Sequence, residues 1–164
     1  QRYGGVYSFS RMSWIKPNSL WMMYRSGWGA KPGQEVVLAV TITRRLFDEI
    51  LEKAVPSSYW SHIYPGHDDW KRAVAGSDVR LQWDPDHHPY GAKVERRAIQ
   101  LGLRGGMLRR YADTEVVEIE DISEYVGQQR RHIEARDLEK LLVPNERVYM
   151  PSSVKAITSI GLKS

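Results

Sequence analysis

Residues 79–103 are VRLQWDPDHHPYGAKVERRAIQLGL. They contain two segments in which apolar residues alternate with other residues, one on each side of a proline-containing stretch. Residues 79–83 and residues 96–103 place apolar side chains at every second position, which is typical of strands with one buried face. Residues 84–89, DPDHHP, predict the turn between them, because a proline disfavours helix at the residue before it. Two strands joined by such a turn predict an antiparallel pair.

A strand followed directly by a helix is predicted nearer the N-terminus. Residues 35–43 alternate and are rich in valine, which predicts a buried strand. Thr43 is the predicted N-cap of the amphipathic helix that follows. The apolar side of that helix carries Leu46, Phe47, Ile50 and Leu51.

Shorter elements complete the predicted fold. A helix capped by Asn18 or Ser19 continues through Arg25 and is ended by the glycines at 27 and 29. The other predicted elements are a long loop at 56–66, helices at 68–75, 107–111, 123–132 and 136–142, and strands at 115–119 and 147–150. Because strand-to-strand turns outnumber β-helix-β units, we predict an α+β fold, a single compact domain with a mixed, largely antiparallel sheet and several short helices.

The composition narrows the possible functions. The 164 residues fit one domain, residues 1–164, and no apolar run approaches the roughly 20 residues that a membrane span requires. We therefore expect no membrane partner and a cytoplasmic or otherwise intracellular protein. The chain has no cysteine, which excludes disulfides and thiolate nucleophiles. Gly-x-Ser-x-Gly and HExxH motifs are also absent, which argues against serine hydrolases and zinc proteases.

Residues 11–28, RMSWIKPNSLWMMYRSGW, combine cations with large aromatic rings, and we call them the Arg/Trp segment. Its cations are Arg11, Lys16 and Arg25, and its tryptophans, spaced by seven residues, are Trp14, Trp21 and Trp28. A cation beside an indole can hold a phosphate while the ring stacks on a base or a nicotinamide. The segment therefore predicts a ligand-binding site. The alternative is that the tryptophans are core anchors whose neighbouring cations only reach solvent.

The positive charge of the chain is concentrated in the same region. Residues 1–34 contain five basic and no acidic residues, whereas the whole chain has a formal net charge of +4. A local excess of positive charge favours anionic partners such as phosphates. The predicted partner is therefore a phosphate-bearing small molecule or a nucleic acid.

A second predicted site lies on the paired strands. If these strands pair, their ends bring together the amide of Gln82, the carboxylate of Asp84 and the guanidinium of Arg97. Asp84 would then act as a base or hold Arg97 in place, and we predict both as catalytic residues. The alternative is an Asp-Pro turn in which the Asp84 side chain caps its own backbone.

Two further motifs were weighed as ligand sites. His87 and His88 are adjacent, and adjacent residues of an extended segment point in opposite directions, so we predict no metal site. Residues 102–106, GLRGG, precede a predicted helix and resemble a phosphate cradle of glycine amides. The alternative is a turn that needs a positive φ.

Three motifs occurring in this order resemble the domain-of-unknown-function 4291 family. They are the Arg/Trp segment, the Gln-Trp-Asp-Pro turn at 82–85 and the Arg-Ala-Ile-Gln-Leu-Gly strand at 97–102. The resemblance covers residues 11 to about 121, and it adds Trp83 and Gln100 to the predicted ligand-binding residues. Members of this family typically carry a strand and a helix before the first motif, so we expect this chain to lack that extension.

Three functions remain open at this stage. The first is binding, with or without enzymatic processing, of a phosphate-bearing nucleotide or nucleic acid in an Arg/Trp-lined cleft. The second is an ADP-ribosyltransferase-like enzyme that uses NAD, which rests on analogy because no signature triad is evident. The third is a non-catalytic module whose aromatic patch binds a protein. Neither the residues nor the resemblance names a cofactor.

Overall fold

The computed structural model describes residue 3 and residues 7–162, which form an α+β fold. The strands in this part of the chain are β1 (Ser13–Ile15), β2 (Leu38–Ile42), β3 (Ala54–Pro56), β4 (Val79–His87), β5 (Lys93–Leu103) and β6 (Val116–Asp121). The α-helices are α1 (Ser19–Ser26), α2 (Arg44–Glu52), α3 (His67–Gly76), α4 (Gly105–Arg109), α5 (Ser123–Glu134) and α6 (Val154–Ser159). A π-helical turn, Arg110–Thr114, continues α4.

The central sheet is mixed and has the strand order β1-β5-β4-β3. The predicted antiparallel pair is confirmed as β4 and β5, with Leu81 opposite Leu101 and Gln82 opposite Gln100. β1 also pairs antiparallel with β5, whereas β3 pairs parallel with β4.

The predicted turn at residues 84–89 is wrong. β4 continues through His87, with a register shift between Pro85 and His87, and the chain turns between His88 and Ala92. His88 N donates to Ala92 O over 2.7 Å, which closes this turn. A proline restricts the residue before it to extended backbone, and extended backbone suits a strand as well as a turn. β5 supplies pairing partners for this stretch, so it remains a strand.

The two faces of the β4–β5 pair have different environments. Val79, Leu81, Leu101 and Leu103 are fully buried in the main core together with Leu46, Ile50 and Leu51 of α2. Burying each such side chain contributes about 1.5–3 kcal/mol. Because strand residues alternate between faces, Gln82, Asp84 and Gln100 lie on the opposite face.

The N-terminus of α1 is held by distant parts of the chain. The helix ends at Gly27 in a left-handed conformation, φ 59°, as the glycine predicts. Asn18 occupies the N-cap position, but its side chain makes no cap; Oδ1 instead accepts a 3.2 Å hydrogen bond from Ile99 N of β5. Ser19 N donates to Glu146 Oε1 over 2.6 Å. Tertiary contacts therefore fix α1 relative to the sheet.

The second sheet consists of β2 and β6, paired antiparallel. The strand predicted at 35–43 is confirmed as β2, but its predicted burial is wrong, because most of the side chains of β2 are exposed. Val37, just before β2, is buried in a smaller core with Met23, Trp28 and Val126. The helices predicted at 68–75 and 123–132 are confirmed as α3 and α5.

The C-terminal part departs most from the predictions. Residues 136–142 are not a helix and residues 147–150 are not a strand. Long-range hydrogen bonds hold this segment instead: Tyr125 Oη donates to Leu142 O over 2.7 Å, and Tyr149 Oη donates to Asp48 Oδ1 over 2.7 Å. The sequence did not predict α6, because six residues are too few to show a helical period. Within the described residues, no helix has the length and apolar character needed to cross a membrane.

The cap of α2 gives a test of the predicted helix start. Thr43 Oγ1 accepts a 3.1 Å hydrogen bond from Leu46 N, and the side chain is exposed, so its removal leaves no core cavity. We expect Thr43→Ala to lower the free energy of unfolding by about 1 kcal/mol, measured by urea denaturation. Thr43→Ser keeps the hydroxyl and should lose less than half as much. Equal losses in the two variants would contradict the capping role.

Candidate functional site

Asp84 lies between two glutamines on the face of the β4–β5 pair that is opposite the main core. We call these three residues the Gln–Asp cluster. Gln82 Nε2 donates to Asp84 Oδ1 over 3.2 Å, and Gln100 Nε2 donates to Asp84 Oδ2. Gln82 faces Gln100 across the strands, and Asp84 is two residues further along β4. Because both amide nitrogens are used as donors to Asp84, each Oε1 is left as an acceptor. The carboxylate therefore sets the orientation of both amides.

β1 and α1 bring two cations towards this cluster. Lys16 directly follows β1, and its Nζ lies 5.3 Å from the centre of the Trp21 ring. Burial lowers the pKa of Lys16 below its ordinary value; the nearby Arg25 guanidinium adds to the effect, and the Asp84 carboxylate opposes it. Arg25 is one helical turn after Trp21 on α1, and its side chain is exposed. Lys16, Arg25 and Asp84 are thus electrostatic neighbours.

A cavity of about 710 Å³ opens between β1 and β2, and we call it the β1–β2 cavity. The cavity is lined by Lys16 and Arg44, by the rings of Tyr3, Tyr7, Trp14, Phe47, Tyr111 and Tyr149, and by small and aliphatic side chains of β1 and β2. None of the described residues that line it is Asp or Glu. The cavity therefore combines positive charge with aromatic surface.

Three tyrosines that line the β1–β2 cavity, Tyr3, Tyr111 and Tyr149, are neutral hydrogen-bonding groups. Burial raises the pKa of Tyr3 and of Tyr111, whose hydroxyls lie 3.4 Å apart. Burial and the hydrogen bond to Asp48 raise the pKa of Tyr149 to about 12. These hydroxyls can therefore contact a ligand without adding negative charge.

Most of the predicted ligand-binding residues lie on β1, on α1 and on the face of the sheet that is opposite the main core. Trp14 is 38% exposed on β1, and it packs over Gly102 of β5, where a Cβ would lie 3.1 Å from Trp14 Cε2. The described structure brings together Trp14, Lys16, Trp21, Arg25, Gln82, Asp84 and Gln100. Arg11 is exposed two residues before β1.

Trp28 lies apart from this group. Its ring is 8% exposed in the smaller core, and its Nε1 donates to Pro89 O over 3.2 Å. For Trp28, and for Trp21, which is 7% exposed, the structure matches the alternative of a core anchor. A heptad spacing places residues on one side of a continuous helix, but α1 ends at Ser26, so the third tryptophan leaves that side.

The predicted meeting of Asp84 and Arg97 is wrong. Arg97 lies opposite Pro85, and Asp84 lies opposite Ala98, so the two side chains point to different faces of the sheet. Arg97 Nη2 donates to Trp83 O over 2.8 Å. Trp83 also lies on the far face, where its Nε1 donates to Ile160 O over 2.9 Å. Trp83 and Arg97 line a separate pocket of about 380 Å³ that includes Trp60.

The backbone amides at the end of the 102–106 stretch already contact an anionic side chain of the protein itself. Gly106 N donates to Asp78 Oδ2 over 2.9 Å, and Met107 N donates to the same oxygen over 3.4 Å. Gly105 has φ +54°, so the alternative of a turn that needs a positive φ is confirmed. The phosphate cradle prediction is therefore wrong.

The two adjacent histidines have separate environments. His87 is 3% exposed and stacks on Tyr24 with ring centres 3.6 Å apart, whereas His88 is exposed. Neither ring nitrogen of His87 has a hydrogen-bond partner in the described structure. Within the described residues, no three His, Asp or Glu side chains are arranged to hold a metal ion.

Sequence reasoning missed Arg44 and the tyrosines of the β1–β2 cavity. Arg44 is the first residue of α2, and no local pattern distinguishes it from its neighbour Arg45. The cavity forms where β1, an edge of the four-stranded sheet, faces β2 of the other sheet. A motif search along the chain does not detect such a contact, because it depends on how the two sheets pack.

Comparison with known proteins identifies the family. A family model described as Domain of unknown function (DUF4291) matches residues 1–149, so the chain belongs to this family. The match confirms the resemblance and extends beyond residues 11–121 in both directions. No curated protein and no solved structure matches the chain.

The separation of Asp84 from Arg97 can be tested with a double-mutant cycle. We expect the unfolding free-energy changes of Asp84→Ala and Arg97→Ala to add, with a coupling within about 0.5 kcal/mol of zero. The control cycle is Asp86→Asn with Arg96→Gln, whose side chains form a 2.6 Å ion pair and should show clear coupling. Coupling between Asp84 and Arg97 as large as in the control would contradict the assignment to opposite faces.

Proposed function

We propose that the protein binds a phosphate-bearing nucleotide, free or within a nucleic acid strand, in the β1–β2 cavity. The observation that carries the proposal is the lining: two cations and several aromatic rings, with no acidic residue among the described lining residues. Its volume of about 710 Å³ falls within the range of about 300–1,000 Å³ that is typical of small-molecule sites.

The cations supply the charge complementarity for phosphate. Lys16 reaches the cavity from the end of β1, and Arg44 reaches it from the start of α2. A guanidinium binds two phosphate oxygens through parallel N–H groups, and an ammonium acts as a point charge. Arg25 adds positive charge beside Lys16. A nucleotide phosphate placed between β1 and α2 would therefore be neutralised from two sides.

Trp14 and the Gln–Asp cluster supply contacts for a base. The Trp14 ring is exposed at the cavity, and stacking of a base on an aromatic side chain contributes about 1–3 kcal/mol. Gln82 and Gln100 lie on the same face of the sheet as Trp14, with their amide orientation set by Asp84. Gln82 is exposed and presents one oxygen acceptor and one remaining N–H donor, the pair of groups that a base edge requires, whereas Gln100 is buried and orients Asp84.

NAD is the second candidate ligand, as in the ADP-ribosyltransferase-like hypothesis. NAD carries two rings joined by a pyrophosphate, and the β1–β2 cavity has cations on two sides and aromatic rings along its walls. Asp84 is the carboxylate whose charge acts on Lys16 of the cavity lining, so it is the residue that we propose as a base for this reaction.

A thermal-shift titration with AMP, NAD, a short oligonucleotide and inorganic phosphate tests the proposal. A nucleotide at 100 times its Kd should stabilise the fold by about 2.7 kcal/mol, which raises the Tm by about 5–10 °C. Binding should weaken as salt concentration rises, because the phosphate contact is electrostatic. Absence of a shift with every nucleotide tested would contradict the proposal.

Matched arginine variants locate the site. We expect Arg44→Gln to weaken nucleotide binding by about tenfold or more, since a charge-assisted hydrogen bond contributes about 1.5–3 kcal/mol. Arg45→Gln removes the same charge one residue away, from a side chain paired with Glu49 and Glu115, and should leave binding nearly unchanged. Trp14→Ala should weaken binding through lost stacking, and Arg97→Gln on the far face should not. Equal effects of Arg44→Gln and Arg45→Gln would place the ligand elsewhere.

A further inference from the structure

The amino group of Lys16 has an unusual environment among the lysines of the described chain. Its hydrogen bond is to Trp14 O at 3.5 Å, the outer limit for such a contact, and its other close neighbour is the Trp21 ring. Lys140, by contrast, forms a 2.7 Å ion pair with Asp137, and Lys31 donates to Arg25 O over 2.8 Å. Lys16 is thus half-buried in the lining of the β1–β2 cavity, where the Trp21 ring and Trp14 O are the close contacts of its amino group and stabilise its charged form.

We propose that Lys16 is a nucleophilic amine that condenses with the carbonyl group of an aldehyde or ketone bound in the β1–β2 cavity. The geometry that supports this is the half-buried position of Lys16 in the cavity lining, with Arg25 as a neighbouring cation. This activity goes beyond nucleotide binding and does not depend on it.

The electrostatics favour the neutral, reactive form of the amine. Burial removes water from the ammonium, and Arg25 repels its charge, so both lower the pKa of Lys16. A desolvated lysine next to another cation is one of the arrangements that activate amines in proteins. The Asp84 carboxylate raises the pKa of Lys16, so Arg25 and Asp84 shift this pKa in opposite directions.

The reaction balances without an oxidant or reductant. The lone pair of the neutral Nζ attacks the carbonyl carbon, a carbon–nitrogen bond forms, and the carbonyl π electrons move to oxygen. A proton passes from nitrogen to that oxygen and gives a carbinolamine, which then loses water to give an imine. The proton needs no other residue of the chain, because water at the cavity can carry it from the nitrogen to the departing hydroxyl.

The cavity defines the class of carbonyl compound. Its aromatic walls suit a planar ring, and Arg44 suits an anionic substituent on that ring. An aromatic aldehyde with a carboxylate or phosphate group therefore fits better than an aliphatic sugar. A bound phosphate near Lys16 would raise the pKa of Lys16, so a nucleotide in the same cavity would suppress the reaction.

The first experiment measures reactivity against pH. The protein is treated with limiting formaldehyde and cyanoborohydride from pH 6 to pH 10, and methylation of each lysine is followed by peptide mass spectrometry. The methylation of each lysine is divided by its own plateau value at high pH, so that differences in solvent exposure between lysines cancel. We expect the midpoint for Lys16 to lie below that of Lys93, which is exposed and serves as the internal control. A midpoint for Lys16 equal to or above that of Lys93 would overturn the proposal.

Two variants test whether the neighbours act as described. Arg25→Gln removes the repelling charge and should shift the Lys16 midpoint to higher pH. Asp84→Asn removes the attracting charge and should shift it to lower pH. Shifts in the same direction, or no shift in either folded variant, would show that the assigned electrostatics are wrong.

The second experiment tests the carbonyl ligand. With 4-formylbenzoate and cyanoborohydride, we expect one main adduct, at Lys16, which disappears in Lys16→Arg and decreases several-fold in Arg44→Gln. Adducts spread evenly over the lysines would overturn the proposed ligand class. Because this labelling needs no nucleotide, it can succeed when the nucleotide titration fails. It can also fail when the nucleotide titration succeeds, so the two proposals are tested separately.

Discussion

The antiparallel pairing of β4 with β5 is the constraint on which the rest of the structure depends. It places Leu81 opposite Leu101 in the main core and Gln82 opposite Gln100 on the other face. A slip of one residue would move every side chain of a strand to the opposite face, which would expose the leucines and bury the glutamines. The register that buries the core therefore also assembles the Gln–Asp cluster.

The candidate site combines this sheet face with elements that are remote in sequence. β1 pairs with the outer edge of β5. α1 is held by two hydrogen bonds to distant residues: Asn18 accepts one from Ile99 N, and Ser19 N donates one to Glu146. These contacts place Lys16 and Arg25 near Asp84, where burial and neighbouring charges compete to set the pKa of one amine. The same docking leaves β1 facing β2 across the β1–β2 cavity. Charge, aromatic surface and a cavity thus meet at one strand edge.

Local signals predicted the elements that depend on local interactions. The Thr43 cap and the buried side of α2 follow from residues within one or two turns of each other, and Gly27 ends α1 as expected. Predictions failed where distant partners decide the conformation. β5 keeps residues 84–87 in a strand, and hydrogen bonds from Tyr125 and Tyr149 hold a C-terminal segment that has no regular structure. The family match to DUF4291 names no ligand, so it adds none to the predictions from sequence or to the structure.

The sequence by itself determined the α+β class, the antiparallel pairing of β4 with β5, the start of α2 and the end of α1. It did so because periodicity, capping and turn preferences act between near neighbours. Only the tertiary structure decided that Arg97 and Trp83 point away from Asp84, that Trp28 is a core residue, and that Arg44 joins Lys16 at the cavity. Those outcomes depend on which face of its strand each residue occupies, on the register shift in β4 and on the packing of the two sheets. All three arise from contacts between residues that are distant in the sequence.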